Sequence, residues 1–333
     1  MSQKNMQVLL ANRPTGWVKE SDFEVVETDL PQAGDGQILV KNLYLSLDPY
    51  MRGRMNDTKS YSAKAELGQV MLGGTVGEVV ESHNPKFQPG DNVVGNLGWQ
   101  QYGVSSGAGM AKVDPKLVPL SAYLGVVGMP GVTAYVGLLD LGQPRPGETV
   151  VVSAASGAVG SVVGQLAKLK GCRAVGLAGG AAKCEYVVQE LGFDACIDYK
   201  AGQLYQDLKA ATPDGVDVYF DNVGGEILDT VLSRMNPFSR LPLCGLISQY
   251  NETSPAPLKN VYAFLTNRIK LQGFIVSDHM ERWPEALGQL GQWVAEGKIK
   301  YRETVTEGLE NAPQAFIGLL KGENFGKQLV KLA

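Results

Sequence analysis

The sequence predicts an α/β protein in which a doubly wound parallel sheet is joined to a mainly antiparallel β-barrel. Three observations predict it. From about residue 145, β-branched or apolar runs alternate with helix-length segments, the pattern of βαβ crossovers. The first such run leads into a glycine-bearing turn and a helical pattern, as the opening unit of a nucleotide-binding sheet does. The first 120 residues carry short alternating runs punctuated by Gly, Pro and Asp, which suits an irregular antiparallel barrel.

Taken in order, QILVKNLYLSL, GGTVGEVVES and DNVVGNL are the barrel strands of the first 120 residues. Thr149–Ser153 is the first strand of the parallel sheet, and VGSVVGQLAKLKG is a helix ending at Gly171. RAVGLAGG is a strand, AAKCEYVVQELG a helix closed by Gly192, DACIDYK a strand, and GQLYQDLKAATP a helix stopped by Pro213. GVDVYFDNVGG is a strand with its turn, EILDTVLSRMNP a helix, and LPLCGLISQ and KLQGFIVS are further strands, with a long loop over 249–268. AFIGLLKGE then reads as a helix and KQLVKLA as a strand, so the nucleotide domain is expected at 126–299, between two parts of the other domain at 1–125 and 300–333.

Composition narrows the function. Of 333 residues, 44% are hydrophobic and 19% charged, which is the balance of a soluble globular chain. A net charge of −4 with no Lys/Arg stripe argues against nucleic acid as a partner. Leu117–Leu139 and Thr149–Ala167 carry no charge, but prolines and glycines break the first and a strand–turn–helix pattern explains the second, so neither is expected to span a membrane. The N-terminus lacks a signal-peptide core, and Cys172, Cys184, Cys196 and Cys244 form no C-x-x-C pair; the expectation is a cytoplasmic protein with free thiols and no metal site. His83 and His279 sit in polar surroundings and are expected at the surface.

The chemistry-bearing stretch is SAASGAVG at 153–160. A dinucleotide fingerprint needs a tight turn, close backbone approach to pyrophosphate, and close helix–strand packing. Gly157 and Gly160 supply the last two, while Ala155 stands where the first glycine belongs, a small loss if φ stays negative there. The N–H groups of Ala158, Val159 and Gly160 at the helix start would face the pyrophosphate. Alone, the run also fits a tightly packed small-residue helix; its strand–turn–helix setting favours the cofactor. The second strand ends in Leu177-Ala178-Gly179-Gly180 with no carboxylate for a ribose 2′-hydroxyl, and Lys183 follows, which points to NADPH with its 2′-phosphate.

Seven separated motifs carry a resemblance over nearly the whole chain: YLSLDPYMRGRM at 44–55, GMPGVTAY at 128–135, SAASGAVG at 153–160, FDNVGGE at 220–226, CGLISQYN at 244–251, LQGFIVS at 271–277 and ENFGK at 323–327. With them the chain resembles the zinc-independent branch of the medium-chain dehydrogenase/reductase superfamily. Within that branch it is similar to the enone reductase group of prostaglandin, alkenal double-bond and bacterial curcumin reductases. The resemblance implies a GroES-like domain around a Rossmann domain, NADPH as cofactor, an enone as small-molecule substrate, and a homodimer. It implies that Lys183 and Tyr199, beside Gly179, hold the 2′-phosphate. By the same resemblance Asn222, Cys244, Gly245, Ser248, Phe274, Ile275 and Val276 line the cofactor, Met129 and Thr133 flank the nicotinamide end, and Asn324 reaches it from the C-terminal segment.

Reduction of an enone puts negative charge on the carbonyl oxygen, and a hydroxyl donor aimed there lowers the barrier. Tyr250, just past LPLCGLIS, is the first candidate; its role is either at the substrate carbonyl or at a ribose hydroxyl. Tyr50 and Tyr61 are candidates for the substrate pocket, Tyr61 in a polar, turn-rich stretch that suits a lid. Arg52 and Arg54 are expected to be ordinary solvated or ion-paired side chains. The alternative activity on the same fold and cofactor is quinone reduction.

Overall fold

A computed structural model describes residues 4–254 and 256–332. The chain divides into two compact units: one runs to Gly125 and resumes at Glu303, the other is Val126–Arg302.

The Val126–Arg302 unit holds a six-stranded sheet, every adjacent pair of which is parallel. Its spatial order is Ala195–Asp198, Arg173–Ala178, Thr149–Ser153, Val216–Phe220, Met235–Leu243, Lys270–Gly273. In chain order that is 3-2-1-4-5-6, the doubly wound arrangement, with its switch point between Thr149–Ser153 and Val216–Phe220. The uncharged sequence of the first strand follows from its place: Thr149–Ser153 is buried along its whole length in mid-sheet. The helices Gly160–Leu169, Ala181–Gln189, Leu204–Ala211 and Gly225–Leu232 follow the first four strands in turn.

Two elements differ from the sequence expectation. The strand expected at LPLCGLISQ begins earlier, at Met235, and ends at Leu243. The preceding helix therefore stops at Leu232, not at Pro237. Pro237 lies where the pairing with Val216–Phe220 shifts register, an irregularity at which a residue without an N–H is tolerated. The loop expected over 249–268 contains a helix, Tyr262–Thr266. Asp229 organises the chain ahead of it: Oδ1 accepts the N–H groups of Lys259 and Asn260, and Oδ2 accepts from Asn260 Nδ2.

The other unit is mainly antiparallel. Ile38–Ser46 pairs with Thr75–Ser82, Tyr102–Ser105 and Lys327–Lys331, while the short strand Glu303–Glu307 joins in parallel to Lys327–Lys331. A separate hairpin pairs Lys4–Leu10 with Phe23–Asp29. The mainly aliphatic core of this unit holds an aromatic trio: Phe23 stacks on Trp99 at 5.4 Å between centroids, and Phe316 meets Trp99 edge-on at 5.7 Å. No helix of the described residues is long and apolar enough to cross a membrane.

Candidate cofactor and active site

The candidate site of the Val126–Arg302 unit lies past the carboxyl ends of its strands, where a doubly wound sheet receives its ligand. The loop after Thr149–Ser153 begins with Ala154 in the left-handed region at φ 52°. Its carbonyl accepts the Gly157 N–H at 2.9 Å, which closes the tight turn. Ala155 itself is fully buried and outside the left-handed region. The residue expected to be the loss thus suffers none, and the unusual backbone belongs to its neighbour. Gly160 meets the packing demand: a Cβ there would lie 2.3 Å from the Ala154 carbonyl oxygen and 2.8 Å from its carbon. Ala158 and Val159 lead into helix Gly160–Leu169, whose Ser161, Val162 and Val163 N–H groups bond back to the Gly157 and Val159 carbonyls. The N–H groups that would meet a pyrophosphate are therefore those of the turn end, Ala158 to Gly160.

At the next strand end four residues converge. A Cβ on Gly179 would come within 2.7 Å of the Tyr199 hydroxyl and 3.0 Å of Lys200 Cε, so Tyr199 and Lys200 lie directly over this glycine. Lys183 is half-buried, and burial, then the nearby Lys200 cation, push its ammonium below the ordinary lysine range. Two cations that raise each other's electrostatic cost mark a place suited to an anion. Asp198 holds the turn: its Oδ1 accepts the N–H groups of Gly180 at 2.8 Å and Lys200 at 3.0 Å. Lys200 and Asp198 escape the sequence pattern because the turn that carries them follows a different strand from Lys183.

At the switch point, Asp221 ties the two central strands together. It is completely buried, and burial pushes its carboxyl up from the usual range. Oδ1 accepts from the hydroxyls of Ser153 at 2.8 Å and Tyr219 at 2.7 Å and from the Val223 N–H at 2.9 Å, and the Gly224 N–H lies 3.1 Å from each oxygen. Asn222 beside it donates to the Ser153 carbonyl and, from its backbone, to the Ser153 hydroxyl, each at 2.8 Å. The Asp221 carbonyl accepts the N–H groups of Cys244 at 2.8 Å and Gly245 at 3.2 Å. Burial first, and Asp221 second, push the Cys244 thiol up to about 12, so it is a protonated packing group. Ser248 Oγ donates to the Val223 carbonyl at 2.6 Å. Asn222, Cys244, Gly245 and Ser248 are thereby brought together; Asp221, which places them, has no catalytic motif to announce it.

Tyr250 is half-buried, and its hydroxyl oxygen accepts the Leu246 N–H at 3.2 Å. A Cβ on Gly245 would lie 3.1 Å from that oxygen, so the phenol closes over the Cys244–Leu246 turn. Phe274 packs edge-on against Phe220, 6.1 Å between centroids, with Ile275 and Val276 following it half-buried; the Val276 carbonyl accepts the Trp283 indole N–H at 3.2 Å. Met129 opens helix Met129–Tyr135, and Thr133 Oγ1 donates to the Met129 carbonyl at 2.7 Å, which leaves that hydroxyl able to accept.

Three candidates belong to the other unit. Tyr50 is half-buried with the Arg54 guanidinium 4.9 Å from its ring centroid; burial, then Asp48, push its hydroxyl well above the ordinary range. Tyr61 is 60% exposed. Asn324 Nδ2 donates to the Gly326 carbonyl at 2.7 Å. Arg52 is buried and structural, donating to Asn56 Oδ1 and to the Pro14 and Gly16 carbonyls. Among the described residues no group of three or more His, Cys, Asp or Glu is placed to hold a metal ion.

Comparisons with known proteins agree along the chain. Residues 6–113 match the family pattern described as the N-terminal domain of oxidoreductase, and residues 158–292 the pattern described as zinc-binding dehydrogenase. The chain is 51% identical to the NADPH-dependent curcumin reductase of Escherichia coli (strain K12), covering 99% of this chain and 98% of that protein. It is 45% identical to the NADP(+)-dependent 2-alkenal reductase of Nicotiana tabacum, covering 99% and 98%. The crystal structure of CurA in complex with NADPH from Vibrio vulnificus superposes with a TM-score of 0.94 at 48% identity, over 98% of this chain and 99% of that one. Identity of this extent over the full length of both chains settles the ancestry: the protein belongs to the enone reductase group of the medium-chain dehydrogenase/reductase family.

Proposed function

We propose that the protein is an NADPH-dependent reductase of the carbon–carbon double bond in α,β-unsaturated carbonyl compounds, including curcumin-like enones and 2-alkenals. The observation that carries the cofactor choice is the cluster of Lys183, Tyr199 and Lys200 around Gly179, which offers two cations to a 2′-phosphate. The substrate class comes from the curcumin and 2-alkenal reductases to which the chain is similar from end to end.

In this reading the loop Ala155–Gly160 holds the pyrophosphate, and Asn222, Cys244, Gly245, Ser248 and Phe274–Val276 line the path to the nicotinamide, with Met129 and Thr133 at its end. Bound NADPH supplies a hydride for the β-carbon of the enone. Tyr250 supplies the charge stabilisation. The hydrogen bond that its oxygen accepts from the Leu246 N–H holds the phenol over the Cys244–Leu246 turn, in place to stabilise charge that develops there. Donation goes to the substrate oxygen as it takes on enolate character; donation to a ribose hydroxyl is the other role open to it. Tyr50 and Tyr61 are proposed as substrate-contacting side chains of their own unit, and Asn324 as a cofactor contact.

The protein is also proposed to be cytoplasmic and homodimeric. Strand Lys270–Gly273 is an edge of the parallel sheet, with Leu271 exposed and with Phe238, Tyr262 and Leu265 exposed on elements around it. An open apolar sheet edge suits pairing with a second copy. NADPH oxidation followed with an enone and a quinone side by side tests the activity. Turnover of the enone supports the reading, and oxidation of NADPH by the quinone alone replaces it with quinone reduction.

A further inference from the structure

Helix Ala181–Gln189 carries Cys184 in its first turn, and strand Ala195–Asp198 carries Cys196 at its second position. Their sulfurs lie 3.1 Å apart, with the Cys196 thiol donating to Cys184 Sγ. Gly176, on the neighbouring strand, keeps the space open: a Cβ there would come within 3.3 Å of Cys196 Sγ. A disulfide is about 2.05 Å long, so about 1 Å of approach joins the pair. Both cysteines are part-exposed, unlike Cys172, which is buried.

We propose that Cys184 and Cys196 are a redox site, closed to a reversible disulfide by a hydroperoxide, and that closure weakens the hold on the cofactor 2′-phosphate. The second half rests on the assignment of Lys183 and Tyr199 to that phosphate. Lys183 precedes Cys184 directly. Asp198 lies two residues after Cys196 and holds the N–H groups of Gly180 and Lys200. Tyr199 lies between Asp198 and Lys200. Closure therefore pulls on both walls of the phosphate end at once, and shifts of about 1 Å are enough to cost binding groups their geometry.

Cys184 is the first to react. The hydrogen bond from Cys196 outweighs burial and pulls the Cys184 thiol below the ordinary range, while the same bond and burial push Cys196 up. Burial pushes Cys172 up to about 11 and Cys244 up to about 12, which keeps both as unreactive thiols. The Cys184 thiolate attacks one oxygen of hydrogen peroxide; the O–O bond breaks, a sulfenic acid forms, and the departing hydroxide takes up the thiol proton as water. Cys196 then attacks Cys184 Sγ; the S–S bond forms, the S–O bond breaks, and the hydroxide leaves with the Cys196 proton as a second water. Two thiols have lost two electrons and two protons, and one peroxide has become two waters. A dithiol reductant reverses the change.

Trypsin cuts after Lys183 and Lys200, so both cysteines fall in one peptide, Cys184–Lys200. After mild peroxide treatment of the full-length protein, that peptide is expected to lose about 2 Da, resist alkylation, and recover both properties with dithiothreitol. The KM for NADPH should rise about threefold or more while that for NADH hardly changes. Cys184→Ser is expected to keep basal activity and to abolish both responses. Two alkylatable thiols in the treated peptide, or a disulfide that leaves the NADPH KM unchanged, would overturn the proposal. A Lys183→Ala variant that loses NADPH and NADH alike removes the phosphate assignment and with it the effect on binding; the peptide mass reports the disulfide independently.

Discussion

Gly160→Ala tests the phosphate loop at its tightest point. The added Cβ would sit 2.3 Å from the Ala154 carbonyl oxygen and 2.8 Å from the Ala154 carbon, both backbone atoms. An ordinary contact begins near 3.4 Å, so the start of helix Gly160–Leu169 must retreat by about 1 Å from the turn that precedes it. Overpacking of this kind costs about 1–3 kcal/mol. In a unit of this size about 2 kcal/mol lowers Tm by roughly 4–8 °C. The retreat also withdraws the helix-start N–H groups from the pyrophosphate, so NADPH affinity should fall about 10- to 100-fold. Gly164→Ala is the control, because its Cβ would lie 1.7 Å from the Phe193 ring, one helical turn further from the loop. It should lower Tm at least as much and leave NADPH binding closer to wild type. Fluorescence titration of NADPH and thermal melts of both variants read these outcomes. Wild-type NADPH affinity in Gly160→Ala would refute the packing account of the loop.

Three other perturbations separate the remaining roles. Lys183→Ala and Lys200→Ala should each raise the NADPH KM about tenfold and leave the NADH KM nearly unchanged, since each removes one charge-assisted bond to the 2′-phosphate; equal effects on both cofactors would remove that lysine from the site. Tyr250→Phe should lower turnover about a hundredfold with NADPH affinity nearly intact, because only the hydroxyl is lost; unchanged turnover would end its role as donor. Asp221→Leu should cost about 3 kcal/mol or more, read as a loss of Tm, because it strands the donors of Ser153, Tyr219, Val223 and Gly224 in a buried place; a wild-type melt would contradict the hub role.

The sheet was legible because its central strands Arg173–Ala178, Thr149–Ser153 and Val216–Phe220 are buried almost throughout and so read as largely apolar runs, with Thr149–Ser153 the clearest. The need for glycine at position 160 was legible too, as a packing demand after a strand. What escaped depends on through-space meetings. Lys200 joins Lys183 only because the third strand lies beside the second. Asp221 sits among glycines and looks like a turn residue, yet it gathers donors from two strands. Cys184 and Cys196 have no C-x-x-C spacing and meet because helix Ala181–Gln189 leads back to the strand edge. The early start of strand Met235–Leu243 was hidden by Pro237, which normally ends such runs but here occupies a register shift.

The most direct test of the central claim is the rate of NADPH oxidation against enones of graded size, with product analysis and with NADH in parallel. The account predicts saturated ketones or aldehydes as products, each carrying one transferred hydride at the β-carbon, and a strong preference for NADPH. Oxidation of NADPH that requires a quinone, or reduction of the carbonyl to an alcohol with the double bond intact, would contradict it.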